Sequence, residues 1–232
     1  MTLKRILLAI TILLATGFCL HAYQEDKTVP VVIVTSYNPD VKSISDNVSA
    51  FSEEFALCGL PNRVTLENMN CLNLSESLEW KDRLWSLLEK YYRNGEMPAA
   101  VVLLGNEASS TFFSMDIPAL KKTPVLFGMR GDNITLLPED RDVDLVNWYP
   151  DSYYLTRDFD EFNIVGGVVY DYDIAKTLSM IGGVGRQIDT LAFISDNTFG
   201  GVTMQAHFLK SMKSMPQYAV KCFDGRRITF PY

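Results

Sequence analysis

Pro30-Val31-Val32-Ile33-Val34-Thr35 runs directly into Ser36-Tyr37-Asn38-Pro39-Asp40. A run of Val, Ile and Thr with no charged or amide side chain fits a strand buried on both faces of a parallel sheet, and the turn formers behind it mark its end. Next come Ile44, Val48, Phe51 and Phe55, the 4-3-4 spacing of one helix face, ending near Gly59. Strand, polar turn and amphipathic helix make up the opening unit of an α/β layer.

The same rhythm continues. Arg63 to Met69 reads as a second strand, and Leu74, Leu78, Leu84, Trp85, Leu88, Tyr91 and Tyr92 give a second amphipathic helix that stops before Gly95. Ala99 to Leu104 is a third buried strand, opening into Gly105-Asn106-Glu107, and Thr123 to Phe127 is a fourth, ending at Gly128. This order predicts an α/β fold with doubly wound parallel sheets. Residues 129–162 break the rhythm; rich in Asp, Glu, Asn and Pro, they read as a long irregular connection, a length usually reserved for functional or linking segments. The rhythm then returns with strands at Asn163–Tyr170, Asp189–Ser195 and Tyr218–Phe223. Between them lie helices carrying Ile174, Leu178 and Ile181, then Val202, Leu209 and Met212. The expected organisation is a first lobe over 23–162 and a second over 163–232.

Composition narrows the function. The chain has 232 residues, 47% hydrophobic and 21% charged, too apolar for a disordered chain. Its net charge of -7 offers no basic footprint for a nucleic acid. Residues 1–22 carry Lys4 and Arg5, an apolar run from Ile6 and small residues up to Ala22, the three-part layout of a secretory signal peptide. Cleavage there would move the net charge to -9 by removing Lys4 and Arg5. The expected location is periplasmic; the alternative is an inner-membrane anchor formed by an uncleaved signal, although the apolar run is shorter than the roughly 20 residues a span needs. Cys58, Cys71 and Cys222 would remain, open to a Cys58–Cys71 bridge or to free thiols. Their spacing matches no metal motif, and His207 would be the last histidine, so no metal or cofactor is expected.

In open α/β sheets, ligands bind beyond the carboxyl ends of the strands. That rule selects Ser36, Tyr37 and Asn38, then Gly105, Asn106 and Glu107, then Arg130. From the second half it adds Asp171 and Tyr172, then Asp196, Asn197 and Thr198. Together they offer hydrogen-bonding groups and two flat rings, suited to a small polar ligand held between two lobes. Taken singly, each is read first as a turn former or helix cap, and only the set points to a site. No G-x-S-x-G elbow, Walker A loop or H-E-x-x-H occurs, and Gly182-Gly-Val-Gly185 lacks the third glycine of a dinucleotide fingerprint. No catalytic residue is assigned.

Three segments together carry a family resemblance: Val32 to Pro39 behind a signal peptide, Asn163 to Ile174, and Leu191 to Gly200. The chain resembles the periplasmic-binding-protein-like family. Within it, the chain looks most like the extracytoplasmic sensor regions of bacterial membrane histidine kinases, including hybrid two-component sensors, which are related to the substrate-binding proteins of ABC transporters. The resemblance implies a type I arrangement of two α/β lobes, a ligand in the cleft and hinge closure on binding. Ser36 and Tyr37 would face the cleft from the first lobe and Asp196 to Thr198 from the second, with Val169 to Tyr172 crossing between them. Two full lobes of about 100–150 residues would need roughly 250–300, so a nearly complete first lobe and a truncated second are expected. The function implied is small-ligand sensing by a form lacking the kinase, with no activity of its own. A transporter substrate-binding protein is the alternative, and a secreted α/β hydrolase comes third. The expected partner is the small ligand, with a homodimer through the first lobe as the oligomer this arrangement allows and a membrane reached only through a full-length kinase or an uncleaved signal.

Overall fold

The computed structural model describes residues 29–60, 62–182 and 188–227. Residues 1–22, read above as a signal peptide, lie outside them. The elements run β1 (Val31–Thr35), α1 (Lys42–Leu57), β2 (Val64–Asn68), a 3-10 turn (Leu74–Glu79) leading into α2 (Trp80–Leu88), β3 (Ala100–Leu104), α3 (Asn106–Phe113), α4 (Pro118–Lys122) and β4 (Val125–Gly131). Then follow the short strands β5 (Asn133–Ile134) and β6 (Tyr153–Tyr154), β7 (Ile164–Tyr170), α5 (Ile174–Gly182), β8 (Thr190–Ser195), α6 (Phe199–Met212) and β9 (Ala219–Asp224).

The main sheet has five strands in the order β2-β1-β3-β4-β7, every pair parallel. All five residues of β1 are buried, as expected for a central strand covered on both faces. Side chains alternate across it. Val32 and Val34, with Val101, Leu103, Val125 and Phe127, belong to the large core against α2 and α3. Val31, Ile33 and Val102 meet Val48, Phe51 and Phe55 of α1 on the opposite face. The helix face read from the 4-3-4 spacing is therefore the one that packs.

Three features depart from the sequence reading. The strand expected to end at Gly128 continues to Gly131 through a bulge: Phe127 pairs with Gly167 and Arg130 with Val169, so Gly128 and Met129 stand opposite one residue of β7. Met129 takes a left-handed backbone (φ 55°) there, and the shift turns Arg130 into the interior. Ile164–Tyr170, placed in the second lobe from its position in the rhythm, is hydrogen bonded to β4 as the edge of the first sheet. Residues 132–162 are also part of the packed core. Ile134, Leu137, Trp148, Leu155, Phe159 and Phe162 are buried, with Phe113 and Phe162 in edge-to-face contact at 4.8 Å.

Strands β8 and β9 form a separate parallel pair, packed through Leu191, Phe193 and Val220 against Leu178, Phe208 and Met212. Helix α6 belongs to both units. Its start, Phe199 and Val202, joins the large core, while Phe208 and Met212 serve the small one. Phe199 lies edge-on to Trp80 at 5.3 Å and stacks on Trp148 at 6.3 Å. Among the described residues nothing covers the outer face of the pair, and Ile194 is 76% exposed. Cys58, Cys71 and Cys222 are free thiols. Among the described residues no helix is long and apolar enough to cross a membrane.

Candidate functional site

A cleft of about 560 Å³ opens beyond the carboxyl ends of β1 and β3, within the size range of small-molecule sites. Tyr37, in the turn after β1, and Glu107, in the first turn of α3, line one side; Asn197, Thr198, Phe199 and Gly200 line it from the β8–α6 turn, and Gly225 and Arg226 from the turn after β9. Cys71, Leu74 and Trp80 form a third side, with Leu145 and Val146 from the long connection.

Glycine placement explains how β1 and β3 bring their ends together. Gly105 has φ 101°, and a Cβ there would sit 2.4 Å from Ser36 Oγ. This close approach lets Ser36 Oγ accept the Ala108 N–H at 2.9 Å and donate to the Leu104 carbonyl at 3.1 Å. Ser36, fully buried, therefore fixes the start of α3 and does not line the cleft. One residue on, the Tyr37 hydroxyl donates to Glu107 Oε1 at 2.6 Å. The Tyr37 residue is 43% exposed, whereas Glu107 is only 5% exposed. Burial, then the charge of Glu107, pushes the Tyr37 phenol well above its usual range; the same two causes, in the same order, raise the Cys71 thiol. Both neighbours of the carboxylate thus keep their protons at neutral pH.

On the opposite wall, Asp196 Oδ1 accepts from the Thr198 N–H and hydroxyl, and Thr198 Oγ1 accepts the Gly201 N–H, capping α6. Beside them Arg226 is fully engaged: Nε donates to Asp224 Oδ1 at 2.9 Å, and Nη1 to the Leu145 and Trp148 carbonyls at 2.8 and 2.6 Å. Both members of the Arg226–Asp224 pair are buried, and Arg226 holds the Asp224 carboxyl below the usual carboxylate range.

The structure sorts the sequence candidates into three groups. Tyr37, Glu107, Asn197 and Thr198 meet in this cleft. Asn106, Tyr172, Asp196 and again Thr198 line a neighbouring hollow of about 380 Å³. Ser36, Asn38, Gly105, Arg130 and Asp171 line neither. Asn38 caps its own turn, accepting the Asp40 N–H at 3.0 Å, and Asp171 is exposed. Arg130 is turned inward by the bulge, donating through Nε to Gly131 and through Nη2 to Asn133; burial pushes its pKa down to about 10. Sequence reasoning passed over Trp80, Phe199 and Arg226. Trp80 and Phe199 stood outside the helix faces read from the sequence, although both belong to the core, and a Gly-Arg-Arg turn carries no motif.

A scan against protein-family models finds no match, and a search of curated proteins finds no significant relative. Any assignment for this cleft therefore rests on its own geometry and chemistry.

Proposed function

We propose that the chain is the extracytoplasmic small-ligand-sensing part of a two-component signalling histidine kinase, built on the periplasmic-binding-protein-like type I plan. One observation supports the reading above the others. A single cleft draws its walls from the strand ends of the main sheet and from the β8–α6 and post-β9 turns. A ligand seated there touches both units at once, so its binding energy differs between arrangements of the two; that difference is what allows binding to shift a conformational equilibrium. A transporter substrate-binding protein would use the cleft in the same way. A kinase reading frame next to or continuous with this one favours the sensor; permease and ATPase genes favour the transporter.

The test is a thermal-shift screen of the chain against amino acids, amines, sugars and nucleosides. Ligand at 100 times its Kd stabilises a native state by about 2.7 kcal/mol, or roughly 5–10 °C in Tm for a domain of this size. At least one class should produce such a shift. A flat response to every class at millimolar concentration refutes the reading.

A further inference from the structure

Glu107 is the chemically distinctive group of the cleft. It sits in the first turn of α3, where a negative charge is favourable, yet this does not account for both of its oxygens. Oε1 accepts from Tyr37, whereas Oε2 is buried with no hydrogen-bond partner among the described residues. A buried carboxylate oxygen without a donor is costly, so the site favours any ligand that supplies one.

The surrounding charges indicate which kind of donor. Arg226, the cation on the cleft wall, is neutralised by Asp224 and occupied by two carbonyls. Arg130 feels the Glu107 charge, but it is 2% exposed and does not line the cleft. Among the described residues that line the cleft, Glu107 carries the one carboxylate, 5% exposed and set just beneath the surface beside Leu74, Trp80 and the Tyr37 ring. Aromatic faces favour an adjacent cation, and apolar walls favour an organic body. A bare metal ion fits poorly, because no group of three or more metal-ligating acidic, His or Cys side chains occurs among the described residues.

We propose that the ligand of this cleft is an organic ammonium ion: an apolar body bearing a protonated amine that donates to Glu107 Oε2. This rests on reading the cleft as the binding site. Charge-assisted hydrogen bonds in a partly dry site are about twice as strong as neutral ones, so the head group sets the binding order.

The full chain is titrated by calorimetry with phenethylamine, 2-phenylethanol and 3-phenylpropionate, which share an aryl-ethyl body and differ in head-group charge. The amine should bind roughly tenfold or more tighter than the alcohol, and the carboxylate most weakly. Glu107→Gln, with its fold checked by circular dichroism, should erase that order; Glu107→Asp should keep the order while weakening the amine. The proposal is overturned if the alcohol or carboxylate matches the amine, if the order survives in Glu107→Gln, or if none of the three binds. The sensing reading is judged separately by the wider screen: a neutral or anionic hit there keeps it and sinks the ammonium assignment.

Discussion

Replacing Arg226 with Ala tests how the second unit is fastened to the first. The side chain makes an ion pair with Asp224 and donates to the carbonyls of Leu145 and Trp148, so one guanidinium ties the turn after β9 to the long connection. Removing it leaves a buried carboxylate without its counter-charge and two carbonyls without this donor, a loss in the range of about 3–5 kcal/mol. At about 2–4 °C per kcal/mol for a domain of this size, Tm should fall by roughly 6–20 °C. Thermal denaturation followed by circular dichroism at pH 7 measures it. Removing both charges with Arg226→Met and Asp224→Leu should cost less than the two single changes summed, by about 1–3 kcal/mol, because no charge is then stranded. The pair also has a pH signature. Since the folded state holds Asp224 below its ordinary value of about 3.9, the stability it contributes is complete above that value and is lost as pH falls through the depressed one. The gap between wild type and Arg226→Ala should therefore narrow below about pH 4. A change in Tm of less than roughly 2 °C at pH 7, or strict additivity in the double variant, would refute this account.

Two further outcomes follow from the main sheet. Gly105→Ala forces a side chain into a left-handed backbone and against Ser36 Oγ, and should destabilise by about 1–3 kcal/mol or more in urea titration; an unchanged midpoint would remove the argument for the close approach of β1 and β3. Tyr37 and Cys71 hold their protons more tightly in the folded chain than in the unfolded one, where they ionise near their ordinary values of about 10 and 8.5. Stability from both is complete below about pH 8 and declines as pH rises past those values, so urea midpoints should drop between roughly pH 8 and 10.5. A Tyr37→Phe, Cys71→Ala double variant should show a flatter profile, and equal slopes would contradict it.

The main strands were legible because burial on both faces leaves an uninterrupted apolar run, as in Val31–Thr35 and Ala100–Leu104. Pairing partners were less so. Asn163 to Tyr170 reads as a strand from its own residues, but its place beside β4 depends on Gly167, which admits the Phe127 ring and carbonyl at distances that leave no room for a Cβ. The packing of residues 132–162 was hidden because Trp148, Phe159 and Phe162 follow neither helical nor strand period, and acidic residues between them give the segment a polar composition. Of the residues selected by the rule of strand carboxyl ends, Tyr37, Glu107, Asn197 and Thr198 line one cleft. Arg130 does not join them, because a bulge reverses the direction of a side chain without leaving a mark in local composition.

The all-parallel order of the main sheet also bears on how the chain reaches this state. Val31 pairs with Val64 on one side and with Ala100 on the other, so its second neighbour lies 69 residues along the chain, compared with 24 between Val101 and Val125 in the β3–β4 pair. The longer loop costs about 0.9 kcal/mol more in closure entropy. During synthesis from the amino end, β1 and β2 emerge together while β3 is still being made. One edge of the fully buried strand β1 then stays unpaired until residue 100 appears, an interval in which a chaperone or a neighbouring chain competes for the place that β3 will take.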